Sequence, residues 1–305
     1  MTMKADDHHF IEAMDQSKFT LDKISPFKHN WHLHPLFQID NLAELAKRLA
    51  LTDQCRFIKR DTKIDSPFDH TNKNYDGKNI EDVFKHIEES RSWVALYNVQ
   101  TDEIYRQFIR DMLASAQHLI PNYNKIFDVR AYLFISAPPS VTPFHIDNEN
   151  NFWLQIHGRK TLNVWDRHDQ EIIPADVVEK FIVNGGDLQK VVFKEENLSK
   201  SFEFDSGPGD GVYFPSTTPH MTRSDTSWVN PGNGVTASIG LTFYTPETRK
   251  VAYVHSFNNF LRRFLGSQPR PPRQSNNIDR LKYPLGRVLV EMKRSLRNYK
   301  LPTGF

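Results

Sequence analysis

Apolar positions in the first third of the chain recur at helical spacing. Leu42, Leu45 and Leu49 fall on one side of a segment that Asp40 is placed to cap, and Ile104, Phe108, Ile109, Met112 and Leu113 do the same within residues 102–119. Both patterns predict amphipathic packing helices. Between them the polar run from Asp69 to Asn79, with its Asp76-Gly77 turn signal, predicts a surface loop. From about Asp128 the pattern changes. VRAYLFISA, NFWLQIH, KTLNVW, GVYFP and VTASIGLTFYT are short β-branched and aromatic runs between turn residues. No long helix separates most of them, so they predict an all-β block wound as a jelly roll or cupin-type barrel, not a βαβ sheet. Residues 170–200 are less regular, with a short helix expected around Ala175 to Phe181. After Thr245 helical spacing returns, around Val254 to Leu265 and, past the linker SQPRPPRQSNN, from about Pro284 to Leu296.

The expected architecture is therefore a mostly β core, a double-stranded β-helix with flanking N-terminal and C-terminal helices. Its expected parts are a helical region packing on the barrel (1–127), the barrel itself (128–247) and a helical basic extension (248–305). A chain of 305 residues, 38% hydrophobic, is long enough to bury a full core. No window of about 18 apolar residues occurs, and the start MTMKADDHHFIEAM has no basic stretch followed by an apolar one. We therefore expect no transmembrane segment and a cytoplasmic location. Cys55 is the single cysteine, which excludes an internal disulfide, a cysteine zinc cluster and a CxxC redox pair, and it is expected to be a buried apolar residue.

The net charge of +2 hides an asymmetry. Residues 260–305 carry eleven Lys or Arg and two acids, against 28 and 35 in the rest. Such an end suits an anionic surface, whether nucleic acid, lipid headgroups or an acidic face of the protein's own oligomer, and it also suits plain solvation. In the last predicted helix Leu285, Val288, Leu289, Met292 and Leu296 form one apolar stripe, with Arg287, Lys293, Arg294 and Arg297 off it. That helix could dock on the body, form a homodimer with a second copy, or lie on a membrane surface.

Candidate chemistry concentrates in TPFHIDNENNFWLQIHGRK, from Thr142 to Lys160. Side chains two apart on a strand project to the same face, so His145 and Asp147 aim an imidazole and a carboxylate at one point. Pairs of this kind recur by chance, and the chain has others: His32 with His34, His8 with His9, Asp69 with His70. In a second segment, GPGDGVYFPSTTPHMTRS, a Gly-Pro-Gly-Asp turn leads into a strand expected to end in His220, 73 residues after Asp147. Two strands of one barrel can meet across that interval. Two histidines and one carboxylate make the facial triad of non-haem Fe(II) oxygenases, which leaves coordination positions open. A structural zinc site closes four positions and usually uses cysteine.

Over roughly Val129 to Thr245 the sequence resembles the Jumonji-C and cupin-like family of Fe(II) and 2-oxoglutarate dependent oxygenases. The resemblance rests on TPxHxD, NF and QIxGxK in register with the asparaginyl hydroxylase that acts on hypoxia-inducible factor, and on GDGVYFPxxxxH. It implies that His145, Asp147 and His220 bind Fe(II), and that Lys160, fifteen residues past His145, grips the distal carboxylate of 2-oxoglutarate. Thr142 and Asn151 are implied as further contacts to that acid, with Tyr132 and Thr242 as pocket residues. Lysine suits the role, since a compact inward ammonium is tolerable only beside an anion. The implied activity is a dioxygenase that takes O2 and 2-oxoglutarate to succinate and CO2 while hydroxylating a C–H bond of a protein side chain, sugar or small molecule. The acceptor is unknown from sequence. Rival readings are a non-catalytic cupin-like regulator that binds metal or ligand, a cupin enzyme using another metal, and a lipopolysaccharide-sugar hydroxylase near the inner membrane. Trp93, Tyr97, Trp153 and Trp228 fit either the core or the mouth of a pocket.

Overall fold

Every strand pairing among the described residues of the computed structural model is antiparallel. The structure describes residues 9–58, 63, 93–188, 190–225, 234–272 and 276–297; the predicted loop at Asp69 to Asn79, and Trp228, lie outside them. The strands are β1 (Ile11–Ala13), β2 (Ser25–His29), β3 (Cys55–Ile58), β4 (Trp93–Leu96), β5 (Phe127–Ser136), β6 (Ser140–His145), β7 (Asn150–His157), β8 (Lys160–Val164), β9 (Phe202–Ser206), β10 (Asp210–Phe214), β11 (His220–Ser224) and β12 (Thr236–Tyr244). The helices are α1 (Ile39–Ala50), α2 (Glu103–Ala114), α3 (Ala175–Val183), α4 (Pro246–Leu265) and α5 (Asn276–Arg297). An eight-stranded sheet has the order β1-β2-β10-β7-β12-β5-β4-β3, and a four-stranded sheet the order β6-β11-β8-β9. Between β5 and β8, and again from β10 to β12, the chain changes sheet at each step. That winding makes the curled, jelly-roll half-barrel the sequence predicts.

β7 and β12 in the middle of the larger sheet bury both faces, β5 leaves its inward face half-buried, and the two faces differ in kind. Outward positions are apolar: Ala131, Leu133 and Ile135 on β5, Phe152, Leu154 and Ile156 on β7, Ile239, Leu241 and Phe243 on β12 all join one core cluster. That cluster takes in Leu42, Leu45 and Leu49 of α1 and Tyr105, Phe108, Ile109 and Met112 of α2. Inward positions alternate with these and are largely polar: Arg130, Tyr132 and Ser136, then Asn151 and Gln155, then Ser238 and Thr242. The helices thus cover the apolar outside of the sheet and leave the polar side facing the barrel.

Details of the first third differ from the sequence reading. Residues 9–127 hold α1 and α2, but also β1 to β4, which extend the larger sheet at both edges. Strands of three to five residues are too short for a two-residue period to show. Asp40 is not the N-cap of α1; Gln38 is, and Asp40 sits in the first turn, where its charge still favours the positive end of the helix. Ile104 is exposed, and Tyr105 takes the core position instead, its hydroxyl donating to the Leu36 carbonyl at 2.6 Å. Asp102 caps α2 through the amides of Ile104 and Tyr105, and Arg48 of α1 donates to the same carboxylate at 2.6 Å. Cys55 is buried, which pushes its thiol up to about 12, so it behaves as an apolar residue.

The C-terminal helix packs in reverse. α5 meets α4 through the buried Lys282, Gly286 and Val290, while Leu285, Val288 and Met292 are at least half exposed. Gly286 allows this approach because a Cβ there would overlap the Tyr253 carbonyl of α4. Gly286→Ala is expected to destabilise the protein by about 1–3 kcal/mol, the usual effect of overpacking; an unchanged urea midpoint would show that the helices can part without loss.

Candidate metal centre and cavity

The minor sheet brings two histidines face to face. β6 and β11 pair with His145 opposite His220, and the two rings lie 4.1 Å apart. A register shift between His220 and Thr222 puts Thr142 opposite Thr222, so Thr142 and His145 both reach the barrel interior although they are three residues apart. Asp147 lies beyond the end of β6, in the turn into β7, not on the strand that the two-residue spacing predicts. Its carboxylate still converges, with Oδ2 3.5 Å from His220 Nε2 and Oδ1 4.0 Å from His145 Nε2. The ligand atoms of His145, Asp147 and His220 all fall within 4.8 Å of one another, and no other such group of three forms among the described residues.

Hydrogen bonds on the far side of each ring fix its tautomer. His145 Nδ1 is 2.7 Å from the Pro143 carbonyl and His220 Nδ1 is 3.0 Å from the Thr218 carbonyl. A carbonyl only accepts, so both Nδ1 atoms carry the proton and both Nε2 lone pairs point at Asp147, ready for a cation.

Backbone links hold the ligand-bearing turns in place. The Thr217 amide donates to the Asp147 carbonyl at 2.8 Å, tying the turn before His220 to the turn after His145. Thr217 adopts φ +64° to do so, a conformation that a β-branched residue enters only when its surroundings dictate it. Buried Asn150 extends the tie: its Oδ1 accepts from the Ser216 amide at 3.2 Å, and its Nδ2 donates to Thr248 Oγ1 at 2.9 Å and to the Phe243 carbonyl at 3.3 Å. One amide thus joins the His220 turn, β12 and the capping box of α4. In the sequence the available signal for Asn150 is the polar run of residues 147–151 directly before an apolar strand.

Lys160 is 2% exposed, and its Nζ donates to Ser238 Oγ at 3.0 Å. It shares a strand face with Leu162 and Val164, which pack with Trp153, Val212 and Phe214. Burial alone pulls its ammonium from 10.5 down to about 7. An inward lysine whose charge is opposed by its surroundings asks for an anion.

These groups surround a cavity of about 360 Å³. His145, Asp147 and His220 line it together with Thr142, Thr222, Tyr132, Asn151, Trp153 and Ser238, the hydroxyl that holds Lys160. Asn151 packs against Gly240, where a Cβ would come within 3.0 Å of Asn151 Oδ1, itself buried without a hydrogen-bond partner. Thr242, expected in the pocket, is instead engaged with the Arg130 carbonyl at 3.4 Å, and Gly240 and Ser238 form the wall on β12. Tyr97 also lines the cavity, whereas Trp93 stacks on Phe134 in the interior. Sequence reasoning missed Arg130, Glu149 and Tyr244 on the outer wall. Burial raises the Glu149 carboxyl to about 7, helped by the charge of Asp147. His32 and His34 lie apart, His32 edge-on to His29 and His34 against Phe108.

A model of the cupin-like domain matches residues 21–252, about three quarters of the chain. The chain belongs to the cupin-like domain family. No curated protein matches it significantly. Solved structures of YcfD from Escherichia coli are similar to this cupin-like protein. One, described as a ribosomal oxygenase, is 18% identical with a TM-score of 0.46, covering 95% of this chain and 69% of that one. A second, in complex with cobalt and 2-oxoglutarate, is 17% identical with a TM-score of 0.45, covering 92% and 67%. A third is 17% identical at 0.46, and there the chain spans 65% of the structure's length.

Two imidazoles protonated on Nδ1, which turn Nε2 toward one carboxylate, suit a divalent transition ion. Titration with Co(II) should give one site per chain, lost in His220→Ala. Asn150→Ala should weaken it about tenfold, as loss of an orienting partner does. Undiminished Co(II) affinity in His220→Ala would remove that residue from the site.

Proposed function

We propose that this protein is an Fe(II) and 2-oxoglutarate dependent oxygenase that hydroxylates a C–H bond of a protein side chain, sugar or small molecule. The observation that carries the reading is the pairing of a three-ligand centre with a buried lysine, Lys160, whose Nζ donates to Ser238 on the cavity wall. A metal-binding regulator needs the first and has no use for the second. His145, Asp147 and His220 hold the metal on one face. Lys160 and Ser238 receive the distal carboxylate of the 2-oxo acid, with Thr142, Asn151 and Tyr132 as further hydrogen-bonding groups. Trp153 and Ile146 exclude water from the remaining wall. Bound there, ferrous iron supplies the oxidising chemistry: one atom of O2 enters the substrate C–H bond and the other enters succinate, with CO2 released. A cytoplasmic setting belongs to the same reading.

Incubation with Fe(II), ascorbate and 2-oxoglutarate should yield succinate even without the prime substrate, and none in Asp147→Ala. Lys160→Met should raise the 2-oxoglutarate needed for half-saturation at least about tenfold, the effect of losing a charge-assisted bond. Proton linkage gives a second check. Unfolded lysine stays protonated to about 10.4, whereas folded Lys160 sheds its proton near 7. The ligand-free fold therefore gains stability from this residue as pH rises between those values. A carboxylate placed against Nζ restores the proton, so binding at pH 8 should take up close to one proton, read by calorimetry in buffers of different ionisation enthalpy. Binding without proton uptake would place the acid elsewhere.

We further propose that α5 pairs with its counterpart in a second copy. Leu281, Leu285, Val288 and Met292 are 50–71% exposed at helical spacing along one side, a stripe that a symmetric partner would cover. Leu285→Asp with Val288→Asp should convert a sedimenting dimer to monomer. A wild-type monomer that binds anionic vesicles through Arg280, Arg287 and Lys293 would instead assign this face to an anionic surface.

A further inference from the structure

A second, smaller cavity lies behind the turn that leads to His220. Arg167 and His168, just past β8, line it with Gln170, Ala175 at the start of α3, Thr217, and His255 of α4, and among the described residues no Asp or Glu does. Its volume is about 30 Å³. A water molecule takes about 10–15 Å³ on that measure, so the space suits a monatomic ion or two waters. Two buried nitrogens in its wall have no hydrogen-bond partner. The Arg167 side chain is 7% exposed; its Nη1 donates to the Ser216 carbonyl at 3.1 Å and its Nη2 to Asp22 Oδ1 at 3.4 Å, which leaves Nε unmatched. His255 is 6% exposed, and its Nδ1 is unmatched too. Burial and the charges of Arg167, His168 and Lys282 pull this imidazole down to about 3, so it is neutral and can offer an N–H without adding charge. The nearby acids are engaged elsewhere: Asp166 accepts from the His168 amide at 2.9 Å, Asp176 pairs with Lys180 at 2.6 Å, and Asp22 is mostly exposed. The start of α3 adds the positive end of a helix. A buried guanidinium edge, an unpaired imidazole and a helix start, with no acid among them, make surroundings that favour an anion.

We propose that this cavity binds a small inorganic anion of halide size, and that the bound anion braces the turn that positions the metal ligands. The anion accepts hydrogen bonds from Arg167 Nε and His255 Nδ1. Its link to the metal centre is short, because Arg167 also holds the Ser216 carbonyl and Thr217, on the cavity wall, donates its amide to the Asp147 carbonyl at 2.8 Å. An anion that fixes Arg167 therefore fixes the turn between Asp147 and His220. By linkage the metal and the anion tighten each other. The site lies outside the main cavity and does not depend on the oxygenase reading.

The probe is chloride, and the protein is the full chain. Without metal, it should broaden the chloride NMR line in a saturable way, and Arg167→Met and Gln170→Glu should each remove most of that broadening. Gln170 sits on the rim, where its Oε1 accepts from the Ala175 amide at 2.8 Å. A glutamate keeps that bond and supplies the missing negative charge, so this variant tests the site even if Arg167→Met, which loses its hold on Ser216, fails to fold. Lys160→Met separates the two cavities, and the broadening should persist in it. Crystals grown in bromide should show an anomalous peak between Arg167 and His255. Absence of saturable broadening, its survival in Gln170→Glu, its loss in Lys160→Met, or water alone in the bromide crystals overturns the site. For the bracing, Co(II) should bind about fivefold tighter in chloride than in gluconate at equal ionic strength, the lower end of coupling between sites, and equally in both salts in Gln170→Glu. Equal wild-type affinity in the two salts overturns the bracing. So does a chloride effect that survives in Gln170→Glu, which would place the anion on the metal itself.

Discussion

Burial of both faces of the larger sheet is the constraint on which the rest of this structure depends. A strand has two sides; β7 and β12 are buried along both, and β5 along one with Arg130, Tyr132 and Phe134 half-buried on the other. One side is satisfied by hydrocarbon, where α1 and α2 lay Leu42, Leu45, Leu49, Phe108 and Met112 over Phe152, Leu154, Ile239 and Leu241. The other side is lined with hydroxyls, amides and charges. Polar groups enclosed in this way must find partners in one another or in a ligand. Some do: Gln155 Nε2 donates to Thr236 Oγ1 at 3.0 Å, and Asn150 joins three segments. Others do not: Asn151 Oδ1 has no hydrogen-bond partner, and the Lys160 ammonium meets the neutral Ser238 hydroxyl, which marks where the protein leaves room for something else.

The same enclosure explains how weakly paired ligand groups stay in position without an ion. His145 and His220 come from neighbouring strands in register, and each ring is held from behind by the carbonyl two residues before it. Asp147 is not on a strand, and its position is set through its carbonyl by Thr217. The site is therefore built on ladder register plus one backbone hydrogen bond across the barrel mouth. Loss of register would move both histidines together, while loss of the Thr217 contact would move the aspartate alone.

At the C-terminus the balance of forces is different. α5 docks by its smallest residue, Gly286, because the close approach to Tyr253 leaves no room for a side chain. Its larger apolar residues are pushed outward by the same geometry. Helix packing through a small residue gains backbone proximity and gives up hydrophobic area, so the helix keeps a stripe that its own body cannot cover.

Much of this was legible in the residues. The change from helical to strand periodicity near Asp128 and the spacing of His145 and Asp147 are local patterns that follow from the two- and 3.6-residue repeats of strand and helix, whereas His220 came from a second strand-like segment and the role of Lys160 from the family resemblance. The short strands β1 to β4 escaped because three to five residues carry too little periodicity, and Thr242 was placed in the pocket by the family resemblance, which does not see its hydrogen bond to the Arg130 carbonyl. Alternation along β5, β7 and β12 was visible, yet which phase faces the cavity was not. Arg130 and Tyr244 were missed for that reason, Glu149 because it lies in the turn before β7, and the outward turn of Leu285, Val288 and Met292 because helix spacing does not say which side packs. The sequence by itself determined which side chains share a face; only the tertiary structure decided what each face meets, because that depends on contacts between segments tens of residues apart, which no local repeat encodes.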